Sequence, residues 1–344
     1  DAVTGDHIAS SGAFAIGAAG TASTLAGIPF FSDSSNFSMY THDVSGTDST
    51  AAGNTAYGFK TMDAITTGDD NTAMGEQALG AITTGGENVG IGKNALQKED
   101  TGTRSVAIGV AALKEQNYDS DCNNIAIGYQ AGEQITTGRW NHFIGNYAGD
   151  DFDTEHSNMG IGYRALGGPV AGGEYNIAIG NSSLDAVTSG DNNVALGYYA
   201  GSDLTGGGQV SGQNTMMGNY AGGDLTTGYQ NVCVGHRAGY GAADSVGTNP
   251  ITGKRNILIG QYVNTTANNA DHGIALGYAI TVAANDFSFG KHTSVVTNDF
   301  DADADWSRSS DVRLKRNIED TTLGLDFIND LRPVKFQWKP SNEV

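Results

Sequence analysis

The chain is short of positive charge, proline, cysteine and long apolar runs, and each shortage closes a route. Of its 344 residues only 18 are Lys or Arg, against 38 Asp or Glu, for a formal net charge of −20. Phosphate binding needs clustered Lys and Arg, so nucleic acid is not expected as a partner. No window holds the ~20 apolar residues of a membrane span. The stretch 16–31 comes closest, but Ser, Thr and Gly interrupt it and no basic segment precedes it. Neither membrane insertion nor a signal peptide is expected there. Fifty glycines without a Gly-x-y triplet exclude collagen, and a regular apolar pattern argues against disorder. Because the first residue is Asp1, an attachment domain is expected upstream.

What the chain has is a phrase, Asn-x-Ala-x-Gly, repeated along most of its length. Its glycines are Gly58, Gly75, Gly92, Gly109, Gly128, Gly145, Gly162, Gly180, Gly197, Gly218, Gly235, Gly260 and Gly277. Eight of the twelve intervals are 17 residues, and Asn stands four before the glycine in eleven of thirteen copies. A fixed period of this length means one small supersecondary unit stacked many times. The product is a rod rather than a cupped enzyme. Its acidic surface keeps it soluble and resists side-to-side association.

Within one copy, Asn124-Ile125-Ala126-Ile127-Gly128 reads as a strand, and Ile135-Thr136-Thr137-Gly138 as a second short strand ending in a turn. Two strands and two turns per 17 residues suit a flattened parallel β-roll. The first strand is apolar on both faces, as in strands buried on both sides. Ile125 and Ile127 are assigned to the interior of the roll, so the Ala126 and Gly128 face needs a second chain to cover it. The asparagines are expected to form a ladder up the rod axis. A glycan-binding or metal-binding role for that column is the lesser alternative. Thr-Thr-Gly at 66–68, 83–85, 136–138 and 226–228 forms a second column.

Cys122 and Cys233 lie 111 residues apart, about six coils, or ~29 Å at the strand spacing. A disulfide spans only ~7 Å between Cα atoms, so no intrachain bond is expected. Cys233 takes the small-residue slot of its repeat as an apolar filler.

Insertions break the period after Gly109, Gly197 and Gly235, and loops on a repeat scaffold often carry the binding surface. Receptor contact is therefore assigned to Ser202–Gln213 and Tyr240–Lys254, with Tyr198, Tyr199 and Tyr220 as candidate stacking platforms for sugar. Glycan cleavage needs paired carboxylates in a groove. Asp150, Asp151 and Glu155 are candidates, but no constellation independent of the repeat emerges. Asp299, Asp301, Asp303 and Asp305 alternate in a way that invites Ca²⁺. They lack the Gly and Glu of a calcium loop, so a solvated acidic strand is the expectation. No metal and no cofactor is assigned.

Asn193-Val194-Ala195-Leu196-Gly197 and Ser105-Val106-Ala107-Ile108-Gly109 resemble the head repeats of trimeric autotransporter adhesins. The resemblance covers roughly Asn54–Gly290. It implies a left-handed parallel β-roll with three chains around one axis.

After Gly290 the repeat stops. Ser310-Asp311-Val312-Arg313-Leu314-Lys315-Arg316-Asn317-Ile318 opens a new segment, followed by a predicted helix over 322–331 and a strand over 334–338, with Pro333 between them. This run, through Pro333-Val334-Lys335-Phe336-Gln337-Trp338-Lys339, is similar to the start of the endosialidase-type intramolecular chaperone, the peptidase S74 family of phage tail spikes and fibres. The resemblance implies a trimerisation chaperone that cuts itself off. Ser310 is then the nucleophile, Lys315 its base, and Ser310–Asp311 the scissile bond. Desolvation depresses a lysine's pKa toward that role.

The expected fold is thus an all-β parallel β-solenoid of 17-residue coils in a homotrimeric fibre, with a short α+β segment at the C-terminus. The expected divisions are a β-rich segment over 1–53, the roll over 54–290, a linker over 291–310 and the chaperone start over 311–344. The expected function is host attachment by a tailed phage. The partners are two further copies of the chain, other virion tail proteins and a host glycan or protein receptor, and the place is the virion tail. A bacterial trimeric surface adhesin and a glycan-degrading tailspike remain alternatives.

Overall fold

The structure, a computed structural model, describes residues 38–40, 50–168, 173–206, 212–241 and 251–302, together with the backbone of the strands Ser23–Leu25 and Ile28–Asp33. Its body is a parallel β-solenoid. Each coil contributes one three-residue strand ending just before the motif glycine, from Thr55–Tyr57 to Ile257–Ile259. Successive strands pair in parallel and in register, Val89 opposite Val106 and Ile125 opposite His142. The parallel stack continues through Ile274–Tyr278 to Asp286–Lys291. Antiparallel pairing then ends it. At one end Ile28–Asp33 pairs with Ser38–Tyr40, and at the other Ser294–Asp299 folds back on Asp286–Lys291. The first part of the segment expected to be a linker is therefore a strand.

The second strand expected in each coil is replaced by a run of turns. Residues two and four places after the motif glycine adopt left-handed backbone, as at Gln130 (φ 54°) and Leu113 (φ 48°), and this interrupts an extended chain. The turns still bond coil to coil: the N–H of Leu79 donates to the Ala95 carbonyl at 2.9 Å, and that of Leu96 to Ala112 at 3.0 Å. Among the described residues, strand pairing on this side occurs between Asn264–Thr265 and Thr281–Val282.

The faces of the strand are the reverse of the expectation. Ala56, Ala107, Ala126, Ala178 and Ala195 are fully buried inside their own chain. The isoleucines beside them point outward: Ile177 is 36% and Ile179 39% exposed. The Ala face needs no second chain, because the roll is thin. Opposite it stand Leu79, Leu96, Leu113, Leu166 and Leu184, and behind them Ile65, Ile82 and Ile135, all fully buried. There is room for a methyl and an isobutyl group across the gap, not for two large side chains. Where the alanine slot carries Phe143 or Met216, the facing slot is glycine. A Cβ on Gly149 would lie 2.5 Å from the Phe143 ring, and one on Gly222 2.7 Å from the Met216 side chain. Volume is conserved across the layer, as a core at native density requires. Cys233 obeys the same rule beside Gly239, and both cysteines are buried and free.

Two columns fix the register. Each motif asparagine accepts, through Oδ1, the backbone N–H of the next one: Asn71 to Asn54 at 2.9 Å, Asn141 to Asn124 at 2.8 Å. Its Nδ2 donates to a turn carbonyl fourteen residues on, Asn54 to Gly68 and Asn71 to Gly85. The ladder thus runs between backbone and side chain and also ties each strand to its own turn. The motif glycines form the other column. Gly128 has φ 142°, and a Cβ there would sit 2.5 Å from the Gly145 oxygen of the next coil. No L side chain fits either condition.

Candidate functional site

Ser310, Asp311 and Lys315 lie outside the described residues, as do the predicted helix over 322–331 and the strand over 334–338. Of the insertions assigned to receptor contact, 207–211 and 242–250 lie outside them too. The described parts of those loops hug the rod: Leu204 is fully buried and Ser202 is held to the Gly223 carbonyl.

The tyrosines proposed as platforms come together, with different exposure of their faces. Tyr199 and Tyr220 stack on each other, 5.6 Å between centroids and 12° between planes. The Arg237 guanidinium lies 5.4 Å from the Tyr220 ring and 5.1 Å from that of Tyr240. Tyr198 stands edge-on to both stacked rings, at 4.5 and 5.5 Å, and is 43% exposed. Of the three, Tyr198 has the accessible ring.

The acids considered for glycan cleavage do not form a pair across a groove. Glu155 is buried and accepts the Asp153 N–H at 2.8 Å, which closes a turn. Asp150 is half-buried, and its carboxyl is pushed up to about 6, first by burial and then by the neighbouring Asp151 charge. Asp185, Asp203 and Asp224 are also partly buried, and their pKa values are likewise raised by burial. Asp299 turns inward on its own loop and accepts the Asp301 N–H at 2.8 Å, while Asn285 donates to the Asp301 carboxylate. Among the described residues no group of three His, Cys, Asp or Glu is arranged to hold a metal ion.

A buried polar cluster escaped the sequence reading. The column that holds Ile65, Ile82 and Ile135 carries Glu99 and Gln116 in two consecutive coils, both fully buried. Next to them the asparagine column carries Ser105. Glu99 Oε1 accepts the N–H groups of Gly102 and Asp100 at 2.7 and 3.1 Å, and Oε2 accepts Gln116 Nε2 at 2.7 Å. Gln116 Oε1 accepts Asn124 Nδ2 at 2.8 Å, and its Nε2 also reaches Ser105 Oγ at 3.0 Å. The Cys122 thiol lies 3.7 Å from Glu99. Burial raises the Glu99 pKa against the pull of these hydrogen bonds. The Cys122 thiol is pushed up to about 12 by burial and then by Glu99, which leaves it inert as a nucleophile. The cluster is fully buried, and it stands where Ser105 takes the place of a ladder asparagine. Aligning the repeats would have exposed it, as two polar residues in an otherwise apolar column.

The family described as chaperone of endosialidase, Peptidase_S74, matches residues 310–344. Comparison with curated proteins and with solved structures returned no match. The C-terminal segment is similar to that chaperone family, and together with the β-solenoid before it the chain fits a protein of the phage tail-fibre or tailspike type. Among the described residues no helix is long and apolar enough to cross a membrane.

Proposed function

We propose that the chain is part of a homotrimeric fibre that attaches a tailed phage to its host, and that its C-terminal segment assembles the trimer and then cuts the Ser310–Asp311 bond. The observation that carries this reading is the coincidence of a chaperone match at 310–344 with an uncovered apolar face on the rod. From Val89 to Leu276 the outward positions of the strands are Val, Ile, Leu or Met in nearly every coil. A contiguous apolar stripe of that length marks an interaction surface. Its spacing equals the coil repeat, so the partner that matches it rung for rung is another copy of the same chain. The outward Ile face is the proposed seam, in place of the Ala face.

Cleavage would consume one water. Lys315, neutral once the packed trimer desolvates it, takes the Ser310 hydroxyl proton. The Ser310 oxygen bonds to the carbonyl carbon of the Ser310–Asp311 amide and the C–N bond breaks as Lys315 passes the proton to the Asp311 nitrogen; the water then opens that ester, leaving a carboxylate and a free hydroxyl on Ser310 and an amine on Asp311. One preparation tests both halves, by light scattering and intact mass. A trimer whose chains end at Ser310, with Ser310→Ala giving an uncut trimer, is the expected result. The double variant Ile177→Asp/Ile179→Asp is expected to dissociate while keeping its β signal. A monomeric wild-type chain refutes the fibre, and an intact bond in every wild-type chain refutes the cleavage.

A further inference from the structure

The edge of the solenoid that follows the motif glycine has an order of its own. The residue directly after that glycine is, in successive coils, Tyr129, Asn146, Tyr163, Asn181, Tyr198 and Asn219. Ring and amide alternate, and all six are exposed. The amides are fixed: Asn146 Oδ1 accepts the Tyr129 N–H at 3.0 Å, Asn181 that of Tyr163 at 3.0 Å, and Asn219 that of Tyr198 at 3.2 Å. This leaves each Nδ2 group for an outside acceptor. The rings are fixed as well. Tyr147 stands edge-on between Tyr129 and Tyr163, at 5.3 and 6.1 Å, and Tyr220 stands edge-on to Tyr198 at 5.5 Å. Held rings lose little side-chain entropy when a ligand binds.

We propose that this edge is a track for a linear, uncharged polysaccharide lying along the rod axis. Coils rise by ~4.8 Å, so rings recur every ~9.6 Å with an amide midway. The coil rise is close to that of one sugar in an extended glycosidic chain. A polymer laid along the edge therefore presents the C–H face of every second sugar to a tyrosine and the hydroxyls of the others to an amide. Apart from another copy of this chain, whose seam is the outward Ile face, a protein ligand has no reason to repeat at this interval. Charge selects the class further: the six positions are neutral, and the chain as a whole carries −20, which repels an acidic polymer. The track rests on the host-attachment reading and names the ligand class for it.

The test uses the full chain on an array of linear neutral oligosaccharides of graded length, with acidic polymers beside them. Binding to a neutral series is expected, with affinity climbing in steps of two sugars. Tyr163→Asn is expected to weaken binding on the order of tenfold, and adding Tyr198→Asn to weaken it again, while Tyr163→Phe keeps it. The Asn variants place at these sites the residue that adjacent coils already carry, so the fold is kept. Binding to acidic polymers alone, to no neutral series, or equally by the Asn variants overturns the proposal. Cell adhesion separates it from the reading beneath. If wild type and the Asn variants adhere to host cells equally, attachment stands and the track falls. If wild type adheres to no cell yet binds the array through its rings, the track stands and attachment falls.

Discussion

The coil around Gly75 and the coil around Gly109 share one backbone and fill it with opposite chemistry. The first packs Ala73, Leu79 and Ile82; the second packs Ala107 and Leu113 but closes on Gln116, with Glu99 beneath it. Both are fully buried. The interior therefore accepts polar side chains as a mutually bonded set. Glu99, Gln116, Ser105 and Asn124 bond to one another, and the backbone N–H of Gly102 and carbonyl of Gly138 complete the set.

Overfilling the apolar coil has the largest expected effect. Ala73→Phe should cost about 3 kcal/mol or more, because the gap facing Leu79 holds only a methyl group. Leu79→Gly in the same chain should recover most of that, reproducing the Phe143 and Gly149 arrangement at a position whose φ is already 49°. Chemical denaturation of the single and double variants measures it. Failure of the second change to help would sink the volume rule.

The polar coil is tested by apolar replacement. Glu99→Ile alone should cost about 2–3 kcal/mol, since it strands buried donors on Gly102 and Gln116. The triple change Glu99→Ile/Ser105→Asn/Gln116→Ile, which copies the regular coils, should lie within ~1 kcal/mol of the natural chain. Additive losses across the three substitutions would show that the cluster is not a unit.

The smallest effect is at Asp150. The Asp150 pKa is raised to about 6, so its charged form is disfavoured in the fold. Stability from this group is full below the unfolded value of ~3.9 and is lost as pH rises through about 6. Asp150→Asn should therefore stabilise the chain at pH 7.5 by about 1 kcal/mol, after discounting for solvent screening, and by nothing below pH 4. Thermal melts at the two pH values decide it; an equal gain at both would remove the electrostatic explanation.

Much of this was legible in the residues. The 17-residue ruler gave the solenoid, its register and the asparagine ladder, because a stacked repeat leaves each column only one kind of neighbour. The faces of the strand were not legible. Ile125 and Ala126 are both apolar, and which one turns inward depends on the depth of the roll, set by Leu113 and its equivalents across the gap. The left-handed residues hid the turn run in the same way: Leu, Gln and Tyr at those positions do not announce a positive φ as glycine does. Glu99 and Gln116 are not legible from the motif, because they stand in a column seven places beyond its glycine, outside the repeated phrase. The edge of alternating rings and amides was half seen, through Tyr198, and its two-coil order appears once the coils are stacked.

The asparagine ladder has a consequence for how such a chain changes over generations. Each coil with a ladder asparagine offers an Oδ1 acceptor to the coil after it and a backbone N–H to the coil before it, so its two ends are interchangeable connectors. Duplicating or deleting one whole unit leaves each remaining rung joined to an equivalent one. Rod length is then free to drift by unequal recombination, and selection can set how far the solenoid extends without re-solving the fold.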